Sequence, residues 1–149
     1  IVKLRRKVNR KRDDCRRDTM INVTAAIIRD ENHCILIARR RPGKSLAGFW
    51  EFPGGKIEEG ETPEESLARE LKEEMNLVVK VKGFVGENVH HYEGFSIKLM
   101  AYETVIIEGE VRLTDHDQVE WVTVEDMEGY QLAPADIPIA NKLISRGNI

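Results

Sequence analysis

Three glutamates at helical spacing are the residues best placed to do chemistry. Glu70, Glu73 and Glu74 stand at positions i, i+3 and i+4, which are neighbours on a helix surface. The adjacent stripe, the natural core-facing side, is apolar: Leu67, Leu71 and Met75. Like charges at this spacing repel by about 0.2–0.5 kcal/mol per pair. We therefore expect a cation to offset them.

Clustered carboxylates suit Mg²⁺, with Mn²⁺ as the other candidate, because both ions prefer oxygen ligands and commonly share them with substrate phosphates. The alternative is a solvated acidic face on an amphipathic helix, and three glutamates alone leave both interpretations open. The histidines show no spacing that demands a softer metal, and we interpret all four as surface or core residues: His33, His90, His91 and His116.

The helix that would carry these glutamates has signals at both ends. Thr62 is a good N-cap, Pro63 suits the first helical position, and Glu65 stands where a capping box needs its acid. Asn76 can adopt the left-handed conformation that ends a helix, because Asn tolerates positive φ better than most residues. The sequence thus predicts a helix from Pro63 to Met75.

The rest of the chain is read from its apolar runs, which are rich in β-branched residues and predict strands at 21–29, 34–40, 78–85, 89–92, 95–107 and 119–124. The polar segment 30–33 predicts a hairpin between the first two strands, and the Gly- and Pro-rich segment 41–60 predicts a loop. Short helices are expected at 126–130 and 138–146. This order favours an α/β (α+β) fold, with a mixed sheet flanked by helices.

Length and composition indicate one domain. The chain has 149 residues and a mass of 17.1 kDa, with 41% hydrophobic and 33% charged residues. No apolar stretch is long enough to cross a bilayer, and nothing resembles a secretory signal. The two cysteines, Cys15 and Cys34, do not suggest a disulfide framework. We therefore expect a cytoplasmic protein, as a monomer or homodimer.

The segment 1–19 differs from the rest, because it carries nine Lys or Arg residues against three Asp. Two interpretations are open: a disordered basic extension without function, or an arm that binds nucleic acid by releasing counterions. No other part of the sequence suggests a nucleic-acid partner. We assign 1–19 to this extension and 20–149 to the folded domain, with Met20 as a candidate natural start.

The segment before and through the helix resembles the Nudix box. The glycine turn of Phe52-Pro53-Gly54-Gly55-Lys56 is followed at the family's spacing by an acid and then by the helix. The matching positions are Gly55, Glu61, Arg69, Glu70, Glu73 and Glu74. One position departs: Asn76 stands where glycine is usual, and it can supply the same backbone conformation. The resemblance implies a Nudix fold, in which a loop–helix–loop catalytic motif accompanies a mixed sheet sandwiched between helices.

The resemblance also implies roles. Divalent ions would be held by four residues: Gly54 through its carbonyl, Glu70, Glu73 and Glu74. Arg69 would orient neighbouring carboxylates, Gly55 would have a supporting role, and Glu61 would support either the loop or the metal shell. Diphosphate hydrolysis needs charge neutralised on phosphoryl oxygens and a water made nucleophilic, which a metal cluster supplies. Glu70 is the first choice for the general base.

A second acid outside the box often contributes in this family. Asp115 precedes Trp121 at a spacing similar to that of relatives and is the candidate, with Asp117 behind it. The alternative is an ordinary polar turn.

Beyond the box, the resemblance covers roughly 21–144 and is closest to the MutT-like branch. Arg40 matches a phosphate-contacting arginine of those enzymes, although it could equally be an exposed strand end. Lys56 is assigned to the substrate as well. Phe52 and Trp50 could stack on a base or belong to the core.

The segment 132–138, Leu-Ala-Pro-Ala-Asp-Ile-Pro, resembles the base-reaching segment of bacterial CTP pyrophosphohydrolases. Asp136 would favour a donor-rich base edge such as the cytosine amine, if it is ionised. It could instead cap the last helix. Phe95 stands where MutT has an arginine that reads an oxidised purine, which weakens a strict 8-oxo-dGTP assignment.

The leading hypothesis is a Mg²⁺-dependent hydrolase that converts a nucleoside triphosphate to the monophosphate and diphosphate, in a housecleaning role. CTP, dCTP and oxidised nucleotides such as 8-oxo-dGTP are the candidate substrates. Alternatives are a Nudix hydrolase of another nucleoside diphosphate derivative, such as a sugar nucleotide or dinucleoside polyphosphate, and a non-catalytic nucleotide- or RNA-binding module.

Overall fold

The computed structural model describes residues 19–146. The basic arm therefore lies outside the described residues, except for Thr19, which belongs to the first strand. Within this range no helix is both long enough and apolar enough to cross a membrane. The strands are β1 Thr19–Ile28, β2 Ile35–Arg40, β3 Trp50–Glu51, β4 Gly54–Lys56, β5 Val78–Tyr92, β6 Phe95–Glu108 and β7 His116–Val122. The helices are α1 Pro63–Met75 and α2 Ile137–Arg146, with short 3₁₀ turns at Glu125–Gly129 and Pro134–Asp136.

The strands form two sheets. In the larger one the order is β4-β1-β6-β5, where β1 pairs with β6 in parallel and the other neighbours are antiparallel. The smaller sheet has the antiparallel order β3-β2-β7. The predicted α/β (α+β) class with mixed pairing is thus confirmed, with two sheets instead of one.

The predicted hairpin of the first two strands is wrong. A turn does form, since the Asp30 carboxylate accepts the backbone N–H groups of Asn32 and Cys34, each at 2.9 Å. The two described runs are joined by one isolated β-bridge, between Arg29 and Ile35, and not by a continuous ladder. β1 and β2 then become central strands of separate sheets. Their continuous apolar runs, without polar alternation, are typical of strands that are buried on both faces.

The predicted loop at 41–60 is also wrong in part, because it contains β3 and β4. A Cβ on Gly54 would lie 1.9 Å from the carbonyl oxygen of Thr24 in β1, so this close pairing requires glycine. Glycine has low strand propensity, which explains why the segment was not predicted as a strand. The runs at 78–85 and 89–92 merge into β5, whose register shifts around Phe84.

Helices cover the sheets on both sides. Alternate residues of β1 face opposite ways: Ala25 and Ile27 join the core cluster that includes α2, whereas Ala26 and Ile28 join the cluster that includes α1. The α2 residues of the first cluster are Ile139, Ala140 and Leu143, and the α1 residues of the second are Leu67, Leu71 and Met75. The apolar stripe of α1 is therefore buried as expected, and its acidic stripe lies at the edge of the core.

Both ends of α1 are as predicted. The Thr62 hydroxyl accepts the Glu65 N–H at 3.1 Å, and the Glu65 carboxylate accepts the Thr62 N–H at 3.0 Å, which completes the capping box. Asn76 ends the helix in the left-handed region, with φ 62°. Its side-chain amide also donates to the Glu110 carbonyl at 3.2 Å.

The conformation of Asn76 gives a stability prediction. Asn76→Ala should be less stable than Asn76→Gly by about 1 kcal/mol, because alanine is strained at positive φ and glycine is not. Both variants lack the bond to Glu110, so the comparison isolates the backbone. Urea denaturation measures the difference, and equal midpoints would contradict it.

Candidate active site

Arg69 organises the acidic face of α1. Its guanidinium binds Glu61 through two hydrogen bonds, Nε to Oε2 at 2.6 Å and Nη2 to Oε1 at 3.0 Å. Its Nη1 reaches Glu70 at 3.2 Å and Glu73 at 3.1 Å. Nη2 also donates to the Lys56 carbonyl at 3.1 Å. One arginine therefore ties the glycine turn to two of the three glutamates, as the resemblance implied.

The pair of Arg69 and Glu61 stays charged at neutral pH. The hydrogen bond from Arg69 is the main cause that lowers the pKa of Glu61 to about 2, and a backbone bond at Glu58 adds to it. The same contact raises the pKa of Arg69, against an opposing effect of burial. Glu61 is thus a fixed counter-charge that holds Arg69 in place.

The carboxyl group of Glu74 lies between two other acids. Burial, followed by hydrogen bonds with Glu70 and Asp115, raises its pKa to about 9. Burial works to raise the pKa of Asp115 too, but hydrogen bonds with Glu74 and Lys44 lower it overall. The Lys44 ammonium lies 3.2 Å from Asp115 Oδ1. The fold therefore brings the predicted second acid, Asp115, against Glu74, which in turn contacts Glu70.

This cluster has the donor chemistry for a hard divalent cation. Burial and the neighbouring acids favour the protonated form of Glu74 at neutral pH, and a bound metal ion would replace that proton. Glu73 is less converged, since 60% of its side chain is exposed and it faces Arg69. Between residues 19 and 146, no three Asp, Glu, His or Cys side chains form a ready-made metal site.

Gly55 makes room for Glu70. The Glu70 residue is only 8% exposed, and a Cβ built on Gly55 would lie 2.3 Å from its carboxyl carbon. A larger residue would push the carboxylate out of its place beside Arg69. This contact is consistent with the supporting role predicted for Gly55.

Gly55→Ala should therefore lower the rate of hydrolysis about 10- to 100-fold, the usual effect of displacing a group that supports a metal ligand. Gly83→Ala is the matched control, because a Cβ at Gly83 would meet no atom within 4 Å. Turnover and thermal melting should be measured for both. Equal turnover of the two variants would contradict the role of Gly55.

A cleft of about 460 Å³ begins at the glycine turn and extends away from it. The turn residues Gly54, Gly55 and Lys56 line one part, and Arg40 contributes a second cation to the wall. The other part is lined by these residues: Phe52, Tyr92, Ile97, Leu99, Ala135 and Asp136. The lining of the cleft thus combines a glycine turn, two cations, apolar side chains and two acids, Glu51 and Asp136.

Arg40 is held by two partners within the cleft. Its Nε donates to the Ser45 carbonyl at 2.6 Å, and its Nη1 donates to Glu51 Oε2 at 3.1 Å. The same oxygen of Glu51 lies 2.8 Å from Nε2 of His116, which is buried. Glu51 was missed in the sequence. The signal was an acid between two aromatic residues, Trp50 and Phe52, in a run that folds as a buried strand.

Asp136 lies in the apolar part of the cleft, where its Oδ2 accepts the backbone N–H of Phe52 at 2.9 Å. Burial, followed by the nearby charge of Glu51, raises its pKa well above the usual range. The carboxyl group therefore favours its neutral form, with one O–H donor. Asp136 is thus not the ionised acceptor that the sequence suggested, and the N–H group that it accepts belongs to Phe52 and not to the start of the last helix.

The aromatic candidates take different positions. Phe52 is 2% exposed and belongs to the core, and it also lines the cleft, so its stacking on a base stays a prediction. Trp50 packs in the core against Tyr130 at 5.2 Å, and it is not among the described residues that line the cleft. Tyr92, which the sequence analysis passed over, lines it instead. Asp117 pairs with Arg39 and does not join the acidic cluster.

The raised pKa of Asp136 gives a pH prediction. Between an unfolded pKa of about 4 and the higher folded value, the folded state binds the extra proton, so stability falls as pH rises. Asp136→Asn imitates the neutral acid. At about pH 8 the melting temperature of the variant should exceed that of the original protein by about 2 °C or more. This difference in melting temperature should disappear towards about pH 4. Asp126→Asn, at an exposed position, is the control, and parallel melting curves for Asp136→Asn would refute the protonated state.

A cluster of carboxylates and an arginine, beside the glycine turn that lines a cleft containing two cations, is an arrangement suited to a hydrolase of phosphate compounds. A NUDIX domain profile matches residues 24–142. The CTP pyrophosphohydrolase of Escherichia coli is 38% identical over 120 residues, which cover 80% of this chain and 88% of that protein. The 8-oxo-dGTP diphosphatase of Escherichia coli is 32% identical over 123 residues, covering 83% and 95%.

A solved structure shows the same fold. The solution structure of the MutT protein from methicillin-resistant Staphylococcus aureus has a TM-score of 0.70 and 38% identity, and the alignment covers 87% of this chain and 99% of that one. The chain belongs to the Nudix family of hydrolases, among its MutT-like members. Enzymes of this family generally use divalent metal ions, which fits the oxygen-only donors around Glu74.

Proposed function

We propose that the protein hydrolyses a nucleoside triphosphate to the monophosphate and diphosphate, using Mg²⁺, with a cytosine nucleotide as its preferred substrate. The oxygen of water would form a new bond to one of the two phosphorus atoms, α or β. The bond from that phosphorus to the α–β bridging oxygen would break, and the bridging oxygen would leave with the other phosphoryl group. The reaction would take place in the cytoplasm, in keeping with the low cysteine content. Its role would be to remove surplus or damaged nucleotides.

The observation that carries this proposal is the continuity of the cleft. Gly54, Gly55 and Lys56 open one part of it beside the acidic face of α1, and Asp136 lies in the other part. A triphosphate can therefore occupy the cationic part while its base enters the apolar part. Lys56 and Arg40 would contact the phosphates, since both are cations on the wall.

The acids of α1 and their neighbours would hold the metal. Glu70, Glu73 and Glu74 would be ligands together with the Gly54 carbonyl, and Asp115 would complete the cluster. When bound, Mg²⁺ neutralises phosphoryl charge and makes a water more acidic. Glu70 would accept the proton of the attacking water as general base. Arg69 and Glu61 would keep these carboxylates in position.

The base preference follows from two acids of different charge. Asp136, when neutral, offers an O–H donor, whereas Glu51 is held by Arg40 and His116 and offers a carboxylate acceptor. Cytosine presents its exocyclic amine as a donor beside its ring nitrogen acceptor. The pair Glu51 and Asp136 is complementary to that edge. A purely aliphatic pocket would not discriminate in this way. The CTP pyrophosphohydrolase similarity agrees with this preference.

The test is a substrate panel with Mg²⁺ that measures pyrophosphate and identifies the nucleotide product. CTP, dCTP and 8-oxo-dGTP are compared with a sugar nucleotide and a dinucleoside polyphosphate. We expect CTP or dCTP to give the highest kcat/KM and to release pyrophosphate. Faster cleavage of a sugar nucleotide or a dinucleotide would instead assign the protein to another Nudix activity.

Glu70→Gln tests the general base in the same assay. We expect kcat to fall about 10²- to 10⁴-fold, the usual contribution of a positioned base. Glu64→Gln is the matched control, since Glu64 is an exposed carboxylate in the first turn of the same helix. Turnover of Glu70→Gln near that of the control would remove Glu70 from this role.

A further inference from the structure

Three side chains on three adjacent strands meet at the wall of the cleft. In the smaller sheet, Glu51 of β3 lies opposite Ala38 of β2, and His116 of β7 lies opposite Arg40 of β2. Ala38 and Arg40 are two residues apart and so face the same side of the sheet. Glu51, Arg40 and His116 therefore share one face, with the arginine strand in the middle.

A β-bulge gives His116 this orientation. Arg39 pairs with Gln118, but the next residue, Arg40, pairs with His116, so the register shifts and Asp117 has no partner in the ladder. Asp117 instead binds Arg39 on the solvent side, at 2.8 Å and 3.1 Å. Bulges commonly redirect a side chain next to a functional site. Here the bulge separates an exposed acid from a buried histidine.

Two donors converge on one oxygen of Glu51. Nε2 of His116 lies 2.8 Å from Oε2, and Nη1 of Arg40 lies 3.1 Å from the same atom. An ionised carboxylate only accepts, so His116 donates its Nε2–H. No residue in the described part of the chain donates to the other oxygen, Oε1, while Glu51 lines the cleft. The arrangement leaves that oxygen available to a ligand.

The imidazole is retained at a cost to stability. The side chain of His116 is 1% exposed, and its Nδ1 is the one buried side-chain polar atom without a hydrogen-bond partner among residues 19–146. An unpaired buried nitrogen is unfavourable, and an apolar side chain of similar size would avoid it. If packing were the only role of the side chain at this position, leucine would give a more stable protein than histidine. The Nε2–H bond to Glu51 is the contribution that leucine cannot supply.

We infer that His116 is a positioning residue for substrate binding. It acts through Glu51, whose carboxylate it orients so that Oε1 faces the nucleotide base and Oε2 holds Arg40 towards the phosphates. His116 itself does not line the cleft within the described residues. This inference rests on the proposed function, because it assigns a specificity role at the same site.

The first test compares the original protein with His116→Leu, using whichever of CTP, dCTP and 8-oxo-dGTP is cleaved fastest. We expect KM to rise about tenfold with kcat little changed, because the loss of one charge-assisted hydrogen bond weakens binding in the ground and transition states alike. Affinity for the α,β-methylene analogue should fall by the same factor. The melting temperature should stay equal or rise, a combination that a purely structural role would not give.

The second test asks which nitrogen matters and remains informative if His116→Leu does not fold. His116→Gln can place an amide N–H near the position of Nε2, whereas His116→Asn has a shorter reach. We expect the Gln variant to have a KM close to that of the original protein. The KM of the Asn variant should be raised, like that of His116→Leu. Equal KM values for the Gln and Asn variants would overturn the inference.

The third test asks whether His116 acts through Glu51. In a double-mutant cycle, His116→Leu introduced into the Glu51→Gln variant should raise KM by less than a further twofold. The reason is that the acceptor that His116 orients is already altered. Asp117→Asn, the neighbouring position with an exposed ion pair, is the control and should leave KM unchanged. Additive effects would overturn the inference. Absence of any triphosphate cleavage by the original protein would instead refute the proposed function.

Discussion

The site depends on one constraint: like charges must be held close together without unfolding the helix that carries them. Four carboxyl groups gather near the acidic stripe of α1, and their repulsion must be offset. Arg69 supplies one positive charge and is itself fixed by Glu61. Lys44 supplies a second beside Asp115, and the raised pKa of Glu74 favours a proton there. This compensation by a proton is what makes the cluster suited to a divalent cation.

The two sheets translate this local cluster into a substrate site. The glycine strand β4 pairs so closely with β1 that Gly54 allows no side chain, and this pairing sets Gly55 against Glu70. The smaller sheet supplies the other wall through Arg40 and Glu51. Because both sheets pack on the same core, the acidic cluster and the base-binding part of the cleft keep a fixed separation. A long, flexible loop could not maintain that spacing.

Two acids in the cleft, Asp136 and Glu51, are the residues on which the proposed base preference depends. Burial raises the pKa of Asp136, and the nearby charge of Glu51 adds to the effect. The result is one neutral carboxyl beside one carboxylate that is held by Arg40 and His116. Two carboxyl groups in different protonation states can provide one hydrogen-bond donor and one acceptor. Different environments give paired carboxylates in enzymes different roles in the same way.

The sequence by itself determined the local features. The limits of α1, its capping box, the left-handed Asn76 and the converging acids follow from spacing and conformational preference within one segment. Asp115 was found only through the family resemblance. The separation of β1 and β2 into two sheets, the strands hidden in 41–60, the neutral state of Asp136 and the His116–Glu51 contact were decided by the tertiary structure. These depend on pairing and burial between residues up to 84 positions apart, such as Phe52 and Asp136, which no local pattern encodes.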